Sequence, residues 1–521
     1  MLRIVALLSF ASLLFALTVG CSDPVAGSTD AAIPHGDGGS ADSGGTDPGD
    51  GDGGGTGDAG STDAEGADAA SPDAETVDAA QDEVGTDDAG VDDAGEADAG
   101  QPGDDGGWGG DGEDGGADAG PNGCNGSDSI ISGTTLAPNG IDPIPYVLVY
   151  VTHNSTTFPS KAATVTCDAC AKPKNPVAMT ISGPGGTFAL SGVTLDLGGT
   201  FTVVMDTGSF RRVIRNVSVG VCKPLALTAA QTRFSGDTVV EDIAPRIVVA
   251  SDPSGKADVN DKLVNVLDTI GVSYDTVLPD RTGGQVNGDL LGLMASPAKL
   301  AGYDIVAIPC GVLGNYTVGS MITTTAAANL TAWLKAGGRL YSSDLAYEVV
   351  AQADPAGFTW APGPSPHAGA DHGDSGVGLA KLTPPLTSID ATVDNPDLLA
   401  WLQAIKVVTA PATTNPVVEL RDPWGAVDAI TTQTDARGMP LGLSFVSASV
   451  SWWVNTTTIG PGAVHPLTAQ VDVQDDNGKR CGRIAYTSYH MQSSSAGGSL
   501  SPQERVLEYL LFQLSRCVTV D

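Results

Sequence analysis

The stretch Tyr303–Glu348, YDIVAIPCGVLGNYTVGSMITTTAAANLTAWLKAGGRLYSSDLAYE, decides the fold. DIVAIP is a short apolar, β-branched run that breaks at Cys310-Gly311. From about Thr324 to Ala336 the pattern turns helical, with Leu330, Trp333 and Leu334 on one face and Lys335 in the last turn. Gly337 follows where a left-handed residue ends a helix, and GRLYSSD begins a second strand. A crossover of this length joins parallel strands and is right-handed, so the stretch predicts a doubly wound, flavodoxin-like α/β sheet. Sites in such sheets lie in the crevice outside the carboxyl ends of the strands. Those ends carry Cys310 and Ser342-Ser343-Asp344.

Working outward, the α/β pattern spans 243–521. PRIVVAS reads as a strand, Val259–Ile270 as an amphipathic helix stopped by Gly271, VSYDTVL as a strand and Asp289–Leu300 as helical. Downstream, 354–390 is a Gly-, Pro- and Ala-rich insertion, NPDLLAWLQAI a short helix, and LGLSFVSASVSWWVN and TAQVDVQ added strands. Ser501-Pro502-Gln503-Glu504 is a capping box with Pro at the first helical position, opening the last helix. DIVAIPCG, AWLKAGGRLYSSD and, near the C-terminus, CGRIAYTSYH resemble the class I glutamine amidotransferase-like fold in its wide sense, ThuA-like proteins included. Catalytic members of that fold place a cysteine at the sharp turn after the strand matching GRLYSS and a histidine at the end of a later strand. The resemblance makes His490 the histidine, but Ser342, Ser343 and Asp344 stand at the turn and Gly-x-Cys-x-Gly is missing. Amidotransferase activity is therefore not expected.

Two catalytic arrangements remain as alternatives. Ser343 or Ser342 would act as nucleophile with His490 as base and Asp344 or Glu348 as the orienting acid, or Cys310 would act with His490. Against them, Ser-Ser-Asp after a strand is a ready helix N-cap for DLAYEVV, and Cys310 is equally a buried thiol. The insertion holds His367, Asp371, His372 and Asp374, the densest set of metal-ligand types in the chain, suited to zinc, iron or manganese. Trp424, Trp452 and Trp453 are candidates to line a binding surface, although adjacent strand residues face opposite ways.

Residues 124–227 read as all-β, with short runs such as PYVLVYVT, TFALSGV and TFTVVMD punctuated by Pro, Gly and Asn at sandwich spacing. SGTTLAPNGIDPIPYVLVYV followed by GPGGTFALSGV resembles a carboxypeptidase regulatory-like domain, a transthyretin-like β-sandwich. That resemblance implies a structural or adhesive role and transfers no catalytic residue. Arg211 and Arg212 stand out in an acidic chain but read as a solvated strand edge. The Cys167-x-x-Cys170 pair lacks the strand-to-helix context of a redox motif and the second pair of a zinc site, so structural bridging is expected. Cys124–Cys222 with Cys167–Cys170, or a crossed arrangement, are both open, and Cys481 with Cys517 is the expected bridge of the last strand–helix unit.

Residues 1–21 read as an export signal: Arg3, an apolar run too short for a comfortable bilayer span, then Thr18-Val19-Gly20-Cys21. The ending resembles a bacterial lipobox, which makes Cys21 the lipidated residue, and Ser22 in place of aspartate points to an outer-membrane or surface anchor. Residues 22–123 are almost entirely Gly, Asp, Ala, Ser and Thr; with no Lys or Arg from Cys21 to Ser160, they read as a disordered acidic tether. Their aspartates do not settle into calcium-loop spacing. This segment explains much of the formal charge of −37. Without a basic patch, nucleic acid is not an expected partner, and no cofactor is expected. The whole arrangement resembles bacterial lipoproteins of myxobacterial type. The sequence thus predicts a membrane-anchored binding or scaffold module for an envelope or extracellular ligand, with a divergent hydrolase and a metal site in the 367–374 loop as alternatives.

Overall fold

The computed structural model describes residues 129–520 except 168, 171–172, 252–260, 279, 283–284, 311–321, 355, 361–380, 383–387, 409–415, 422, 424–426, 451, 455–456, 460–462, 490, 492–498 and 518. The expected signal, the acidic tether, Cys21 and Cys124 lie outside these residues. So do the metal-ligand set of the 367–374 loop, Trp424 and His490. Among the described residues no helix is long and apolar enough to cross a membrane.

The described chain begins with two small sheets. In one, Ile131–Thr134 pairs antiparallel with Thr187–Leu190 and parallel with Leu225–Ala226. In the other, Ala178–Ile181, Leu148–His153, Gly199–Asp206 and Arg211–Val219 form an antiparallel sheet in that order. Period-two side-chain alternation sends Phe188 and Leu190 inward from one sheet and Val149, Val151, Val203 and Met205 from the other, into a common apolar core. The described part of the region expected to be all-β is thus β-rich, with one short helix at Val193–Asp196.

A nine-stranded mixed sheet follows. Asp275–Val277, Ile247–Ala250, Ile305–Ile308, Arg339–Ser343 and Arg480–Thr487 are mutually parallel neighbours, in the order 2-1-3-4-5 when numbered along the chain. Val464–Gln474, Gly442–Ser449, Ser388–Val393 and Val417–Arg421 then extend the sheet antiparallel. The expected parallel sheet is thus only half of the sheet observed; the β-rich runs after residue 388 build the other half.

The four inner parallel strands are buried on both faces, Ile247–Ala250 and Ile305–Ile308 as unbroken apolar runs, while the edge strand Asp275–Val277 is largely exposed. Val248, Val306 and Leu340 point to one face, where Leu330, Trp333 and Leu334 of the helix Thr324–Lys335 cover them. Each such aliphatic side chain contributes about 2 kcal/mol when fully buried. Ile247, Val249 and Ile305 point to the other face, covered by Leu263–Ile270 and by Pro502–Leu514. That second layer is continuous with the core of the two small sheets. Phe210 meets Phe512 at 6.0 Å between ring centres, and the Trp401 indole N–H donates to the Pro143 carbonyl at 2.9 Å. The region read as a separate sandwich is therefore joined to the α/β sheet through a shared apolar layer.

Local chemistry fixes the ends of these elements as the residues dictate. Gly271 adopts φ 76° and closes the Leu263–Ile270 helix. The capping box at Ser501 and Glu504 is formed, with Pro502 in the first turn.

The cysteines depart from expectation. Cys167 is bonded to Cys481, not to Cys170, and Cys481 is therefore not bonded to Cys517. The reason is topological: the chain after Pro159 runs to the amino ends of the parallel strands, which brings Cys167 against the start of Arg480–Thr487. The C-x-x-C is thus not a dithiol pair. Cys222, Cys310 and Cys517 are also disulfide-bonded, and no described cysteine is free. The Cys167–Cys481 bond spans 314 residues of sequence. Removing it with Cys167→Ser and Cys481→Ser together is expected to cost about 2–4 kcal/mol, read as a lower urea midpoint with a steeper slope, because the unfolded chain loses the cross-link that kept it compact.

Candidate functional site

The crevice predicted from strand order lies at the carboxyl ends of Ile305–Ile308 and Arg339–Ser343, and the structure fills it with a hydrogen-bonded polar cluster. The Ser343 hydroxyl accepts from the Cys310 backbone N–H at 3.0 Å and donates to the Asp261 carboxylate. The other Asp261 oxygen accepts the Met491 N–H at 3.1 Å. The Ser342 hydroxyl donates to the carbonyls of Ile308 at 3.2 Å and Ala346 at 3.0 Å. The Tyr486 hydroxyl donates to the Asp344 carbonyl at 2.8 Å. Tyr341 and Thr487 share a bond of 3.0 Å, and Thr468 and Tyr489 one of 2.8 Å.

Ser342, Ser343, Asp344, Tyr341, Tyr486 and Tyr489 are all 0% exposed. Burial, then the Asp261 charge, pushes the Tyr341 phenol well above its ordinary range, and burial with the Asp344 charge does the same at Tyr486. Both phenols therefore stay protonated and act as donors or acceptors of hydrogen bonds, not as bases.

The sequence-predicted nucleophiles fare differently. Ser343 stands at the N-cap position of the short Asp344–Ala346 turn, but its hydroxyl bonds no amide of that turn and is taken instead by Asp261 and Cys310. Cys310 is disulfide-bonded, so it is neither a free buried thiol nor a thiolate nucleophile, and the Cys310–His490 alternative is withdrawn. Asp344 occupies φ 48°, a left-handed conformation that a non-glycine residue adopts only when its surroundings enforce it. It stands between the strand Arg339–Ser343 and the helix Tyr347–Ala353, so the sharp turn after the strand is present with aspartate at its apex. His490 is outside the described residues; on either side of it Tyr489 is fixed by Thr468 and Met491 by Asp261.

Asp261 is the member of this cluster that sequence reasoning misses. It lies 82 residues before Ser343 and reads only as one polar position of an amphipathic helix. An aromatic group beside the crevice is equally unannounced: Trp360 lies 4.9 Å from Tyr486, 5.1 Å from Tyr347 and 5.5 Å from Phe358 between ring centres. Among the described residues no three His, Cys, Asp or Glu side chains converge as a metal site.

No family model and no curated protein matches the chain. Among solved structures, it aligns with the cytoplasmic protein STM3548 from Salmonella typhimurium at 11% identity, over 52% of this chain and 99% of that one, with a TM-score of 0.25. It also aligns with Gan42B, a GH42 β-galactosidase, at 12% identity over 53% of this chain and 30% of that one, TM-score 0.22. A β-galactosidase from Rahnella sp. R3 gives 11%, 52%, 32% and 0.23 in the same order, so the chain spans about a third of either galactosidase.

Proposed function

We propose that the chain is a lipid-anchored envelope protein whose folded part is a non-enzymatic binding or scaffold module, held off the membrane by the acidic segment 22–123. The observation that carries this reading is the state of the crevice. Every hydroxyl on the Ser342-Ser343 turn is buried and already hydrogen-bonded to the protein, and the neighbouring sulfur is in a disulfide. A nucleophile must reach a substrate atom, and these groups reach only their own chain. The 2-1-3-4-5 order of the parallel strands supports a flavodoxin-like, amidotransferase-like assignment for this half of the sheet. The two small sheets with a common core support the carboxypeptidase regulatory-like one.

A divergent hydrolase is the second reading, favoured by the left-handed Asp344 at the strand–helix turn. One experiment separates the two. The mature protein is assayed against ester, amide and glycoside chromogenic substrates beside Ser343→Ala and His490→Ala, while Cys21→Ala is followed by cell fractionation. The binding reading expects no turnover above buffer in any form and release of Cys21→Ala from the membrane fraction. Turnover that both Ser343→Ala and His490→Ala abolish would overturn it.

A further inference from the structure

At the opposite, amino-terminal ends of the parallel strands lies a cavity of about 170 Å³. The chain from Pro159 to Thr166 walls it on one side, Ser209 and Arg211 on another, and Asp304 and Arg339 form its floor. With each water occupying about 30 Å³, it has room for five or six waters, or for one small organic or inorganic anion. Its charged lining is Lys161, Arg211, Arg339 and Asp304, three cations to one carboxylate, in a chain of formal charge −37.

Asp304 is already committed. Its two oxygens take Arg246 at 2.8 Å and Lys161 at 2.7 Å. Burial raises its pKa, yet these bonds hold the carboxyl below its usual range, so it is charged and spoken for. Arg211 is different. It is only 7% exposed, and its guanidinium donates to two neutral carbonyls, Glu241 at 3.2 Å and Pro159 at 2.5 Å, with the Phe158 ring 5.4 Å away. Among the described residues no carboxylate lies within ion-pair distance of it; the Glu241 side chain, which feels its charge, is held by Arg215. A buried guanidinium with only neutral partners is costly unless a charge arrives to meet it. Beside it, Ser209 is 5% exposed and lines the same cavity, and its hydroxyl bonds to no described residue. An arginine fork and a serine that line one small cavity supply the donor types that recognise an oxyanion.

We infer that this cavity is a binding site for a small oxyanion, a carboxylate or phosphate group, with Arg211 as its charge partner and Ser209 as a further donor. The site is remote from the Ser343 crevice and does not depend on whether that crevice is catalytic. It also gives the Cys167–Cys481 bond a second consequence, because that bond pins the end of the segment that walls the cavity.

The test is calorimetric titration of the mature protein with inorganic phosphate and, separately, succinate, at constant ionic strength, with thermal melts alongside. The expected result is saturable binding of at least one of the two, with a matching rise in melting temperature. Affinity is expected to fall at least about tenfold in Arg211→Gln, the loss of a charge-assisted pair. Ser209→Asp keeps Arg211 and supplies an internal carboxylate in its place; it is expected to fold and to abolish binding, which guards against a misfolded Arg211→Gln. Ser343→Ala is expected to bind as the parent does. Absence of saturable binding of both anions, or equal affinity in Ser209→Asp, would overturn the inference.

Discussion

Glu508→Gln is expected to leave stability at pH 5 nearly unchanged and to raise it by several kcal/mol at pH 9, as read from urea unfolding at the two pH values. Glu508 sits in the middle of the Pro502–Leu514 helix and is 0% exposed. Arg505, one turn earlier, donates to Glu508 at 2.6 Å and to Asp142 of the small-sheet region at 2.6 Å. One guanidinium thus faces two carboxylates, and it balances only one. Burial, then the Asp142 charge, pushes Glu508 up to about 8 against an ordinary 4.5, with Arg505 opposing. The second carboxyl oxygen of Glu508 has no hydrogen-bond partner among the described residues, which a charged carboxylate would tolerate poorly in this setting. The folded protein keeps this proton to about pH 8, while the unfolded chain releases it near 4.5. Stability from this group is therefore fully present below 4.5 and is lost as pH rises through about 8. At about 1.4 kcal/mol per pKa unit, the ceiling on that loss is roughly 5 kcal/mol. Glutamine keeps the acceptor for Arg505 and never ionises, so it removes the pH dependence and little else. Parallel pH profiles for parent and variant would show that Glu508 is ionised in the folded state.

What the sequence disclosed was the chemistry that acts over a few residues. The helix Thr324–Lys335 with its Leu330–Trp333–Leu334 face, the Gly271 stop and the Ser501 capping box each depend on neighbours within about a turn, and each is found where the pattern places it. Pairings between distant segments are another matter. Nothing local in RCGRIAYT says that it lies beside RLYSS, yet Tyr341 and Ala485 are partners in register. The same distance hides the Cys167–Cys481 bond and makes Asp261, not a histidine, the described partner of the Ser343 hydroxyl. Arg211 shows why composition misleads at a single position. Two adjacent arginines on a strand read as a wet edge, but alternation turns one of them inward: Arg211 is buried, while Arg212 reaches Asp242. Their rarity in an acidic chain was the available signal.

Gly482→Ala is expected to destabilise the protein by about 3 kcal/mol or more, enough to abolish soluble expression in a marginal fold. Gly482 lies inside the Arg480–Thr487 strand, where glycine ordinarily weakens a sheet, so its presence needs a cause. The cause is the end of the helix on the adjoining face. A methyl group on Gly482 would stand 2.1 Å from the Leu334 carbonyl oxygen and 2.9 Å from that of Gly338. These are backbone atoms, and no side-chain rotation relieves the overlap. Gly338 faces a similar limit, its missing methyl falling 2.2 Å from the Trp333 ring, and Gly337, at φ 114°, one of 2.3 Å from the Thr166 carbonyl. The three glycines together let helix end, strand and the 159–167 segment close to backbone contact, and that closure holds Cys167 against Cys481 and shapes the wall of the anion cavity. Gly482→Ala is therefore expected to do more than lower the melting temperature. In whatever fraction folds, it should also weaken phosphate or succinate binding and leave Cys167 and Cys481 more open to alkylation after mild reduction. An alanine variant that melts within about 1 °C of the parent and binds anion equally would mean that helix and strand part freely here, and that the close approach is not what positions the segment.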